Sequence, residues 1–139
     1  MGKLILYILI LFFVLFSPVT TATNYGVVYQ YSVGKVIVTA YTSRECETDN
    51  TPFITASNKR VQNGYIAVSR DILKIAPYGT KVYLDIVGKN KYRSGFYIVE
   101  DTMHKRKKNW VDIWFADLKD AKEFGIKKGK LFVFYEFGA

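Results

Sequence analysis

One cysteine, Cys46, and one histidine, His104, are all that this chain has of either residue. A lone thiol excludes an internal disulfide, so a hydrophobic core must hold the fold unaided. One Cys and one His also fall short of the three or four ligands of a zinc site, and no metal or other cofactor is expected. A Cys46–His104 nucleophile pair lacks an identifiable orienting third group, and Glu45 and Glu47 disfavour a thiolate between them. Long apolar runs are scarce too. The one present, residues 4–16, has thirteen members, short of the roughly 20 that cross a bilayer. Acidic residues are outnumbered, 12 against 20 Lys and Arg, leaving a net charge of +8 that suits an anionic partner.

The apolar run follows Lys3 and precedes Ser17, Pro18, Thr20, Thr21 and Ala22. A charge, a short apolar segment and a small-residue site are the parts of a secretory signal. Residues 1–22 are therefore expected to direct export and to be cleaved after Ala22; uncleaved, they would act as an anchor and the chain's sole membrane contact. Residues 23–139 are long enough for one modest core. An exported basic domain faces peptidoglycan and anionic wall polymers in the periplasm or outside the cell, and export argues against a nucleic-acid partner.

What the chain has in plenty is aromatic and β-branched residues. Residues 26–31 and 35–41, separated by Gly34, are expected to form two strands of a hairpin or a barrel entry. A long polar segment, 42–63, holds Glu45, Glu47, Lys59 and Arg60 and reads as a functional or surface loop. Residues 64–69 return to strand, and 70–76 suit about two helical turns. Strands are expected again at 81–87, 95–100, 111–115 and 130–137. Asp117 fits a helix N-cap, Leu118, Ala121 and Phe124 one helical face, and Gly125 the stop. Many short strands and two short helices predict a mainly β barrel, whose closure removes exposed edges.

Two carboxylates stand out. Asp101 ends one apolar strand and Asp112 begins another, with the basic loop 104–109 between them, so both are expected at one mouth of the barrel. Trp110 and Trp114 flank Asp112 on one side of an extended strand.

Six short motifs then form an ordered series: VTAYT at 38–42, TAS at 55–57, GYIAVS at 64–69, PYGTKVYL at 77–84, VEDT at 99–102 and VDIWF at 111–115, followed by EFG at 123–125. This order resembles the three-aspartate (3D) domain. That family is similar to the catalytic part of membrane-bound lytic transglycosylase A and to stationary-phase muralytic proteins. The resemblance implies a six-stranded double-psi β-barrel of the rare lipoprotein A type. It also implies cleavage of the MurNAc-GlcNAc linkage of peptidoglycan to 1,6-anhydro products. Asp112 matches the family's catalytic acid and Asp101 its partner in the cleft, while Glu45 or Glu47 matches an acid of the early loop. Substrate contacts are expected from Tyr41, Thr42, Lys59, Arg60, Asp71, Lys105 and Trp114, Lys105 lying in the basic loop suited to an anionic glycan. The chain departs from the pattern at Ser69, where the family has its first aspartate, with Asp71 two residues on. A glycan-binding module of the same fold that has lost catalysis is the alternative that this departure favours.

Overall fold

The computed structural model describes residues 27–44, 51–89 and 91–137. The expected signal segment and Glu45, Cys46 and Glu47 lie outside the described residues. Six strands are present: β1 (Val27–Tyr41), β2 (Tyr65–Val68), β3 (Lys81–Ile86), β4 (Gly95–Thr102), β5 (Trp110–Trp114) and β6 (Lys127–Phe137). They close into a barrel in the order β1-β5-β2-β4-β3-β6. Two pairs, β1 with β5 and β2 with β4, run parallel, and the other four antiparallel. Helix α1 (Arg70–Leu73) follows β2, and α2 (Leu118–Phe124) follows β5.

The core arises from period-two alternation. Val36 and Val38 of β1, Ile66 and Val68 of β2, Val82 and Leu84 of β3, Val111 and Ile113 of β5 and Leu131 and Val133 of β6 are buried in one cluster. The residues between them face outward, which is where Asp112 sits.

The two strands expected on either side of Gly34 are one continuous fifteen-residue strand of the barrel. Gly34 does take a positive φ, 102°, but it does so at a bulge where the β1–β6 register shifts between Ser32 and Gly34. Such a bulge bends a strand without reversing it. Both halves of β1 then pair with β6, which starts at Lys127. The helix expected over 70–76 keeps only four helical residues before turns lead to Pro77, which disfavours helix in the residue ahead of it. Asp117 does cap α2, its Oδ1 accepting from the amides of Lys119 at 2.7 Å and Asp120 at 3.2 Å.

Gly129 lies where three strands crowd together. A Cβ there would sit 2.9 Å from the Asp85 carbonyl oxygen and 3.1 Å from Val38 Cγ2. Gly129→Ala is expected to cost about 1–3 kcal/mol through overpacking, read as a lower urea midpoint with an unchanged slope.

Candidate active site

The ladder around β2 brings the two acids together. Ala67 pairs with Asp112 of antiparallel β5 on one side and with Asp101 of parallel β4 on the other. Asp112 in turn pairs with Thr39 of β1. Thr39, Asp112, Ala67 and Asp101 therefore occupy one level of four adjacent strands, and directly paired residues share a sheet face. The two acids are two strands apart, roughly 9–10 Å between Cα atoms at ordinary strand spacing. Only a methyl group stands between them.

Asp101 reaches this level through a bulge. Tyr97 and Val99 are buried, and strict alternation would turn residue 101 inward with them. Instead Ile66 pairs with Val99 and Ala67 with Asp101, so that Glu100 is the extra residue. The Asp101 carboxylate then accepts from the Ala56 amide at 3.0 Å and the Thr102 amide at 2.8 Å, both on Oδ1, and from the Tyr41 hydroxyl on Oδ2 at 3.3 Å. Asp112 Oδ1 accepts from Thr39 Oγ1 at 2.9 Å.

Burial, followed by the charges of Asp101 and Asp112, pushes the Tyr41 phenol far above the usual tyrosine range. It therefore stays a donor at every working pH. Tyr78 is raised by burial and by Asp101, and Tyr97 by burial. In the unfolded chain such phenols ionise near pH 10. Above that pH the unfolded state binds fewer protons than the folded one, so stability falls as pH rises. A pH series of urea midpoints should decline beyond about pH 10, and less steeply in Tyr41→Phe.

The remaining expected contacts divide. Trp114 is half-buried beside Asp112 and its Nε1 donates to Ser43 Oγ at 2.9 Å. Lys105 is exposed in the turn of the basic loop, where Lys107 Nζ lies 3.5 Å from the centroid of the Trp110 ring. Thr42 is only 3% exposed, which leaves little for a ligand to touch. Arg60 is exposed and bridges Ile54 through its backbone. Lys59 pairs with Glu100, and that hydrogen bond holds its ammonium above the usual lysine range against a smaller desolvation effect.

Ser69 and Asp71 support the loop rather than joining the acid row. Ser69 is fully buried, its Oγ accepting from the Trp110 amide at 3.1 Å. Asp71 Oδ2 accepts from the Asn109 amide at 2.9 Å. Partial burial raises the Asp71 carboxyl, but hydrogen bonds from Ser69 and from backbone amides outweigh it and hold the group below its ordinary value. Asn109 takes a positive φ of 57°, which asparagine tolerates.

Sequence reasoning missed Glu100, the Ala56 amide and Thr39. Thr39 was within reach, since it lies two residues from Tyr41 on one strand face. Among the described residues no His, Cys, Asp and Glu cluster fit for a metal is present.

No family model matches the chain, and no curated protein matches it by sequence. Solved structures do. The chain is similar in fold to MltA from E. coli. Identity is 17% and the TM-score 0.48, over 65% of this chain and 29% of that one, so the chain spans about three tenths of MltA. Streptomyces papain inhibitor matches at 15% identity and a TM-score of 0.47, over 76% and 94% of the two chains. Clavibacter michiganensis expansin matches at 20% and 0.42, over 80% and 52%. Nothing about activity follows from likenesses of this size.

Proposed function

We propose that this chain is an exported lytic transglycosylase acting on peptidoglycan, with Asp112 as acid and then base. The observation that carries the reading is the double pairing of Ala67, which sets Asp112 and Asp101 at one level on either side of its methyl group. We also assign the barrel to the double-psi type, on its two parallel pairs within an otherwise antiparallel ring.

In the proposed reaction the Asp112 carboxyl gives its proton to the glycosidic oxygen. The bond from that oxygen to the muramyl C1 breaks, its electron pair leaving with the GlcNAc oxygen. The Asp112 carboxylate then takes the proton of the muramyl 6-hydroxyl, whose oxygen bonds to C1 and closes the 1,6-anhydro ring. One group serves both steps because it ends the first deprotonated. Asp101, fixed by three donors, supplies negative charge near the oxocarbenium-like centre. Trp114 and the basic residues around Lys105 are assigned to the glycan and its carboxylates, or to an anionic wall polymer. Export through residues 1–22 would deliver the barrel to the envelope.

One observation favours a second reading, a wall-binding module: the position of the family's first aspartate is a buried serine committed to Trp110. Incubating the full chain with purified sacculi separates the two. Release of soluble muropeptides supports the enzyme, and protein that sediments with intact sacculi overturns it in favour of the binder.

A further inference from the structure

Glu100 is a carboxylate that the proposed reaction does not use, yet it is 1% exposed in the wall of the barrel. A buried charge is costly unless it is paired and hydrogen-bonded, and this one is both. Ser57 Oγ donates to Oε2 at 2.6 Å, and Lys59 Nζ to Oε1 at 2.5 Å. The Ser57 amide also donates to the Glu100 carbonyl at 3.1 Å. Both side-chain partners belong to one small loop. Its arms are tied to each other, the Val61 amide donating to the Phe53 carbonyl and the Thr55 amide to the Lys59 carbonyl. Asn58, at a positive φ of 62°, makes the tip. Between those ties lies Ala56, the residue whose amide meets Asp101.

We propose that Glu100 is a positioning residue: it latches the loop of residues 53–61 through Ser57 and Lys59, and thereby sets the Ala56 amide on the Asp101 carboxylate. The bulge makes this arrangement. Glu100 and Asp101 are the neighbouring residues at the bulge, and both carboxylates meet the one loop, Glu100 through Ser57 and Lys59 and Asp101 through the Ala56 amide. Ser57 and Ala56 are likewise neighbours, so a shift of the loop by one hydrogen bond moves both contacts together. The role in turnover rests on the reading of Asp101 and Asp112 as the reacting pair; the latch itself does not.

The test uses the full chain with Lys59→Met, Lys59→Arg and Glu100→Gln. Lys59 is exposed, so its replacement removes no core packing; Lys59→Met leaves Glu100 with Ser57 alone and is expected to cost some stability, which the barrel amides register, while Lys59→Arg keeps the pair. Amide hydrogen exchange at Ala56 and Ser57 is expected to quicken about tenfold in Lys59→Met relative to the barrel amides of Met103 and Phe115. Lys59→Arg, which preserves the ion pair, should restore protection. On peptidoglycan, kcat should fall about tenfold in Lys59→Met with KM nearly unchanged, because positioning rather than binding is lost. Unchanged exchange at Ala56 in Lys59→Met overturns the latch, whether or not Glu100→Gln folds. Quickened exchange with full turnover overturns the positioning role and leaves a purely structural ion pair. If the wild-type chain releases nothing from peptidoglycan, the proposed function fails and takes the role in turnover with it, while the exchange experiment still decides the latch.

Discussion

Asp112→Asn is expected to lower muropeptide release by about 10²–10⁴-fold, the usual contribution of a positioned acid and base. Asparagine has nearly the volume of aspartate, and its side-chain oxygen can still accept from Thr39 Oγ1, which lies 2.9 Å from Asp112 Oδ1. The residue is half-buried on the outward face of β5, away from the packed Val111 and Ile113. The fold should therefore be untouched, with stability within about 0.5 kcal/mol of wild type. Initial rates of release and a thermal melt on the same preparation check both halves. A variant that keeps its turnover would remove Asp112 from the chemistry.

Phe124→Ala carries the largest expected loss of stability, about 3–5 kcal/mol. Phe124 is 1% exposed and is the large anchor of α2, its ring 5.4 Å from that of Phe115. Phe115 in turn has the Arg93 guanidinium 4.3 Å from its ring centroid and donates its amide to the Tyr41 carbonyl. A cavity at Phe124 thus opens next to the ends of β5, the strand of Asp112, and of β1, which stops at Tyr41. Against the 5–15 kcal/mol typical of a whole domain, the loss should be plain in urea denaturation followed by circular dichroism. A shift below about 1 kcal/mol would mean that the site collapses around the smaller side chain.

The strands were legible because their alternation is strong, as in the segment Lys81–Ile86, where Val82, Leu84 and Ile86 are buried and the residues between them are not. Asp117 and Gly125 marked the ends of α2 by capping chemistry that is local in sequence. Gly34 did not tell a hairpin from a continuous barrel strand, because a glycine with positive φ serves a bulge as readily as a turn, and only the long antiparallel partner β6 decides between them. The acid pair was legible as two acids flanking one loop, but Asp112 is the central residue of β5 rather than the start of a strand, and the geometry of the pair was not legible. That Asp101 faces outward at all depends on the bulge at Glu100, and the ladder with β2 that defines the bulge is a contact between distant parts of the chain. Glu100 itself gave no signal, since an acid beside an acid reads as solvated. Ser69 stood out as a departure from a pattern, but its bond to Trp110 needed the fold.

In the proposed reaction one carboxyl group closes the muramyl ring without water. Digesting peptidoglycan with the full chain in water enriched in heavy oxygen, and weighing the soluble products, decides whether it does. Muropeptides ending in 1,6-anhydro-MurNAc are expected, with no heavy oxygen incorporated and none formed by Asp112→Asn. Reducing ends that carry heavy oxygen at C1 would contradict the proposed reaction, because a water would then have taken the place of the 6-hydroxyl.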